Sequence, residues 1–153
     1  MVVLRFAGFV GVRRLAYWPH TMRLGLVVMF LFTGATHFTA MKYDYAAMIP
    51  PPFTGELWII AATGALEIAG AVGLMVRTTR RTAAICLAIL LIALFPANIY
   101  AARYGVPFRG EPPTQLWLRA LIQLVFLLAV WWSSIRRSSE IPGWDESGRP
   151  TTR

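Results

Sequence analysis

Residues 82–102 read TAAICLAILLIALFPANIYAA. The run holds no charged side chain, and Arg80, Arg81 and Arg103 bracket it. Roughly 20 apolar residues of helix are needed to cross a bilayer core. A membrane β-strand is far shorter and alternates in polarity, so an unbroken apolar run of this length predicts a helix. Two residues near its end disturb the pattern. Pro96 lacks a backbone donor, which frees the carbonyl near Ile92 and favours a bend. Asn98 brings an amide that is costly to leave unpaired in lipid. Either the bend aims Asn98 at a polar partner inside the protein, or Asn98 bonds the loosened backbone itself.

Working outward from this run, three more spans are predicted, at about Met22–Met41, Leu57–Val76 and Leu116–Ile135. The first is the weakest, because its apolar part is short and it ends in polar residues. The second holds one charge, Glu67, and the fourth holds Arg119 near its start. The chain of 153 residues is 57% hydrophobic and 14% charged, more apolar surface than a soluble domain of this size can hide. The predicted fold is all-α, an integral membrane four-helix bundle. Trp18, Tyr43, Tyr45, Trp58, Tyr100, Tyr104, Trp117, Trp131 and Trp132 fall at the span ends, where interfacial aromatics concentrate.

Charge orients the bundle. Arg5, Arg13, Arg14, Arg23, Arg77, Arg80, Arg81, Arg136, Arg137, Arg149 and Arg153 fall on one side, and Lys42, Arg103, Arg109 and Arg119 on the other. The positive-inside rule then places the N- and C-termini in the cytoplasm. The net charge of +8 is read as an orientation signal, not as a nucleic-acid surface. Residues 1–20 carry too few apolar residues between Arg5 and Arg13 to span, and are expected to form an interfacial amphipathic segment. Residues 21–136 form the membrane domain. Residues 137–153, polar with Pro and Gly, are expected to be a disordered cytoplasmic tail. Cys86 is alone, so it forms no intrachain disulfide and is expected to pack as a small residue. The two histidines, far apart in depth, make neither a haem pair nor a metal site.

Every span brings a polar group to the outer half. His37 and Asn98 lie roughly 9 Å below the outer surface, and Glu67 roughly 15 Å down. Arg119 and Gln123 are four residues apart on one face of the fourth span. Such groups point into a bundle rather than at lipid. His37, Glu67, Asn98, Arg119 and Gln123 are therefore the candidate pocket. Gly64, Gly70 and Ala71 share the Glu67 face, and Ala61, Ala65, Ala69 and Gly73 form a second small stripe. Small stripes allow close helix packing, so the second span is expected to pack on two sides. The segment KYDYAAMIPPPFTGE, at 42–56, is expected to be a stiff extended lid or spacer.

The stretches FTGATHF, MIPPPF, TGALEIAGAVGL, RTTRRTAA and LFPANIYAA, in that order and spacing between Met22 and Trp132, resemble the DoxX family of small bacterial membrane proteins. The resemblance implies a four-helix membrane bundle in the bacterial inner membrane. It also implies a link to membrane-associated oxidoreductase systems, since the family takes its name from a subunit of a thiosulfate:quinone oxidoreductase. His37, Glu67 and Asn98 lie within the matching motifs. The chain has no CxxC pair, flavin motif or haem ligand pair, so electrons would come from a partner oxidoreductase.

Three functions follow as expectations. In the first, the chain is a subunit or accessory of a quinone-linked or thiol/sulfur oxidoreductase system. Quinone is then its ligand, and His37, Asn98 and Glu67 supply hydrogen bonds and a proton. In the second it is a non-catalytic scaffold, its polar layer serving as glue. In the third it carries protons or a small molecule. Whether the chain is itself an enzyme stays open at this level.

Overall fold

A computed structural model of the protein describes residues 18–135. These residues hold five α-helices and no strand beyond one isolated bridge. The helices are α1 (Trp18–Thr36), α2 (Lys42–Ala47), α3 (Leu57–Met75), α4 (Arg80–Tyr104) and α5 (Leu116–Val130). A π-helical turn, Trp131–Ile135, continues α5. The interfacial segment expected before α1 and the tail expected at 137–153 lie outside the described residues.

Three helices are long and apolar enough to cross a membrane: α3, α4, and α5 with its π turn to Ser134. At about 1.5 Å per residue, the 19 residues of α3 rise about 28 Å, close to a bilayer core. The first expected span differs. Its helix starts at Trp18 and ends at Thr36, before the expected limit at Met41, and its apolar part is the shorter stretch Thr21–Thr36. The threonines account for the early end. The Thr36 hydroxyl donates to the Thr33 carbonyl at 2.6 Å, and the Thr39 hydroxyl to the Thr36 carbonyl at 2.7 Å. The backbone tightens into three-residue steps, with His37, Phe38 and Thr39 donating to Gly34, Ala35 and Thr36.

Successive long helices run antiparallel, as their contacts show. Gly34 of α1 meets Gly64 of α3, Gly73 of α3 meets Ala83 of α4, and Asn98 of α4 meets Arg119 of α5. The chain returns to α1 where Arg23 donates to the Ser133 carbonyl at 2.7 Å. The apolar core lies in the half where α1 and α4 begin and where α3 and α5 end. Leu26, Val27, Phe30, Ala71, Leu74, Ala84, Leu87 and Val130 form it. The opposite half carries the polar groups.

The outward surface is apolar. Val28, Phe32, Leu66, Val72, Ile89, Ile92, Leu124 and Val125 are each more than half exposed. Lipid tolerates such a surface where water would not. Two sequence expectations change here. Cys86 is exposed on α4 and does not fill a packing niche. Ala61, Ala65 and Ala69 are exposed too, so of this small stripe it is Gly73 that packs, against Ala83 of α4. Most of the packing of α3 comes from one buried stripe, Ile60, Thr63, Gly64, Glu67, Gly70, Ala71 and Leu74, which meets α1 at its start and α4 at its end. Pro96 sits inside α4 without ending it.

The α1–α3 crossing is the tightest constraint on the polar half. A Cβ at Gly64 would lie 2.6 Å from the His37 Cβ and 2.9 Å from the Gly34 carbonyl oxygen. A backbone oxygen cannot swing aside as a side-chain tip can. Gly64→Leu is therefore expected to cost at least about 3 kcal/mol, the upper range for overpacking. Ala65→Leu, one residue on and exposed, is expected to change stability by less than about 0.5 kcal/mol. Reversible denaturation of both variants in detergent micelles checks the contrast. Equal losses would show that the crossing is not tight.

Candidate functional site

On the α1–α3 seam, buried His37 and Glu67 face each other, with His37 Nε2 4.0 Å from Glu67 Oε1. That is an ion-pair distance rather than a hydrogen bond. Each group is held by a threonine of the opposite helix. Thr33 of α1 donates to Glu67 Oε2 at 2.6 Å. Thr63 of α3 lies 3.0 Å from His37 Nδ1, which is also 3.0 Å from the Ile60 carbonyl oxygen. A carbonyl only accepts, so Nδ1 carries a hydrogen and Nε2 is the nitrogen turned to Glu67. The Thr63 hydroxyl donates its own hydrogen to the Ile60 carbonyl at 2.9 Å. The arrangement sets an imidazole beside a carboxylate, and its threonine bonds tie α3 to the end of α1.

The site is covered by α2. The Tyr45 ring lies 4.5 Å from the His37 ring, and its hydroxyl is 2.9 Å from the Thr36 hydroxyl. Tyr45 therefore turns inward, where the sequence suggested an interfacial residue. The cover is the short helix, and not the three prolines. Pro51 and Pro52 are exposed in a turn, which Gly55 closes by donating to the Ala46 carbonyl.

The other three sequence candidates meet on the α4–α5 seam. Arg119 donates through Nη1 to Asn98 Oδ1 and through Nε to the Thr114 carbonyl, each at 3.0 Å. Gln123 donates to the Leu91 carbonyl at 2.8 Å. That carbonyl is one residue before Ile92, whose helical donor Pro96 removes. Gln123 thus bonds the carbonyl next to the one that Pro96 frees, while Asn98 accepts from Arg119. The five candidates form two groups, and among the described residues no hydrogen bond joins one group to the other. Asn98, Arg119 and Gln123 are half-buried, while His37 and Glu67 are buried.

Two clefts open where α4 ends and α5 begins. One, about 560 Å³, is lined by Ile99, Ala102, Arg103, Gln115, Leu116 and Trp117. The other, about 510 Å³, is lined by Phe108, Arg109, Glu111, Pro112, Thr114 and Arg119. His37 and Glu67 line neither. Phe108 nonetheless ties the second cleft to the buried pair, because its ring packs 5.2 Å from Tyr45.

Sequence reasoning passed over Thr33, Thr36, Tyr45 and Thr63. One signal was available: Thr33 stands four residues before His37, and Thr63 four before Glu67, one helical turn in each case. Nothing in the sequence says that each serves the partner across the crossing.

Removing one Glu67 partner leaves a buried carboxyl oxygen short of a bond. Thr33→Val is expected to destabilise the protein by about 1–3 kcal/mol. Tyr45→Phe keeps the ring contact and loses one hydrogen bond, so about 0.5–1.5 kcal/mol is expected. Denaturation in detergent against wild type measures both. Thr33→Val costing less than Tyr45→Phe would contradict the assignment.

Comparison with known proteins came to one result. No curated protein and no solved structure matches the chain. One family does, described as a domain of unknown function, and its match runs over residues 26–136, which takes in both polar seams and all but the start of α1. The chain belongs to this family, DUF8561.

Proposed function

We propose that the protein is an accessory membrane subunit of an oxidoreductase system, a rigid four-span platform whose redox chemistry resides in a partner protein. In this reading both termini are cytoplasmic and the membrane is the bacterial inner membrane, as the charge distribution and the DoxX resemblance suggest. The observation that carries the accessory role is that the His37–Glu67 pair is engaged by its own surroundings. Thr33 holds Glu67 Oε2, Thr63 and the Ile60 carbonyl hold His37 Nδ1, the remaining Nε2 and Oε1 face each other at 4.0 Å, and the Tyr45 ring packs on His37.

A quinone needs hydrogen-bond partners for its two oxygens beside a ring-sized space, and the two clefts at the α4–α5 end are lined by neither His37 nor Glu67, which favours a structural reading of the pair. What the geometry favours is the role of glue: two polar locks, one per seam, that fix four helices in register. A lock of this kind gives a partner a surface that does not shift.

A second reading has one observation behind it. The cleft of about 560 Å³ between α4 and α5 has apolar walls from Ile99, Ala102, Leu116 and Trp117, with Arg103 and Gln115 at its polar end. An apolar wall with few polar groups is the usual form of a small-molecule site. Here Arg103 and Gln115 would hold the carbonyl oxygens of a quinone, away from the five residues picked from sequence.

Purification from native membranes in mild detergent tests both readings. The accessory role predicts that a cofactor-bearing oxidoreductase, seen by its flavin, haem or iron–sulfur absorbance, comes down with wild type and equally with folded Glu67→Gln. It also predicts no quinone above the bulk-lipid level in either sample. Quinone enriched with wild type and lost in Arg103→Ala supports the second reading. Quinone enriched with wild type and lost in Glu67→Gln overturns the account of the pair.

A further inference from the structure

Trp117 and Tyr104 are each more than 60% exposed, at the start of α5 and the end of α4. Aromatic side chains so placed mark headgroup depth in a spanning protein. The second cleft is lined by the connection from α4 to α5 and the first turn of α5, at this same end of the helices. We propose that this cleft binds a zwitterionic phosphoethanolamine group, with phosphate on Arg109 and Arg119 and ammonium on Glu111.

The first support is the charge pattern. Two guanidinium groups and one carboxylate line a space of about 510 Å³. Among the described residues the close ion pair is His37 with Glu67, and Glu111 has no Lys or Arg side chain at such a distance. Opposite charges held apart on the walls of one cleft suit a ligand that carries both signs. A purely anionic ligand would meet the Glu111 carboxylate, and a purely cationic one the two arginines.

The second support is how firmly the groups are placed. Arg119 is fixed by Asn98 Oδ1 and the Thr114 carbonyl, which engage Nη1 and Nε. Nη2 takes part in neither bond and Arg119 lines the cleft, so the Nη2 N–H groups can donate to a phosphate oxygen. Arg109 and Glu111 stand in a tight turn. Phe108 donates to the Glu111 carbonyl at 2.9 Å, and Glu111 donates to that of Phe108 at 3.1 Å. The two central residues, Arg109 and Gly110, have φ of 56° and 79°. Positive φ at both positions is the mark of a type I′ turn, and glycine takes its place there readily. Arginine does so uncommonly, and an outlying backbone of this sort is a frequent feature of ligand clamps. The turn is anchored in turn by Phe108 on Tyr45.

A primary ammonium distinguishes this ligand from its methylated counterpart. It offers N–H donors to the Glu111 carboxylate, whereas a quaternary ammonium has none. Phosphoethanolamine reaches the cleft either as a phospholipid headgroup or as a free solute. The cleft chemistry is the same in both cases.

The test reconstitutes the full chain in nanodiscs of equal parts phosphatidylethanolamine, phosphatidylglycerol and phosphatidylcholine, and reads bound lipid by native mass spectrometry. Wild type is expected to retain phosphatidylethanolamine selectively. Arg109→Gln, on an exposed turn, is expected to reduce that retention about tenfold, as loss of one charge-assisted hydrogen bond implies. Glu111→Gln is expected to remove the preference over phosphatidylglycerol. Circular dichroism identical to wild type shows that both variants are folded. In parallel, soluble O-phosphoethanolamine is titrated into detergent-purified protein by calorimetry. Binding there that depends on Arg109 and Glu111, without lipid selectivity, assigns the site to the free solute. Equal retention of the three lipids with no calorimetric signal overturns the proposal. So does selectivity that both substitutions leave unchanged.

Discussion

The buried His37–Glu67 pair depends on how closely α1 and α3 cross. Gly34 and Gly64 bring the two backbones so near that a single Cβ would collide with a carbonyl oxygen. Only at that separation can Thr33 reach Glu67 and Thr63 reach His37. The exchange is reciprocal, each threonine serving the ionisable group on the other helix. Buried polar groups without partners are expensive in lipid, and here each acid or base brings its partner's support with it. The close crossing and the polar pair are thus one device.

A second device holds the other pair of helices, by different means. In α4 the proline removes a backbone donor, and α5 places the Gln123 amide beside the weakened turn. Arg119 then bonds Asn98, about two turns beyond Leu91 on α4. The apolar core, with Phe30, Leu74, Leu87 and Val130 fully buried, fills the opposite half. The two seams and the core together explain how long helices with so little charge and no described disulfide hold one register. Apolar packing alone discriminates weakly between registers when lipid is as apolar as the helix faces. Directed bonds on two different seams supply the discrimination.

Much of the fold was legible from composition. The long apolar runs mark the three helices able to cross a membrane almost to the residue, because length and apolarity decide what a bilayer accepts. The first run was legible in kind but not in extent. Its end is set by hydroxyl-to-carbonyl bonds at Thr36 and Thr39, which hydropathy does not register. The residues of the polar layer were legible too, since an Asn, Gln, His, Glu or Arg within an apolar run stands out. Their grouping was not. Depth along a helix can be counted from the sequence, but the azimuth that separates one seam from another depends on packing partners. That is why one five-residue pocket was expected and two seams are found. Tyr45 shows the same limit: its position beside Tyr43 fits an interface, and only the turn after α1 brings it onto His37. The small stripe at Ala61, Ala65 and Ala69 was a fair sign of close packing, yet it faces outward.

The central claim is that His37 and Glu67 form a sealed structural lock rather than a ligand site. Nitrogen-15 NMR of histidine-labelled protein in native-lipid nanodiscs, with His20→Gln to leave one signal set, tests it most directly. The account predicts a hydrogen on Nδ1 of His37 that exchanges slowly with deuterated solvent, and ring shifts that added quinone does not move. Rapid exchange, or a ring signal that shifts as quinone is titrated, would contradict it.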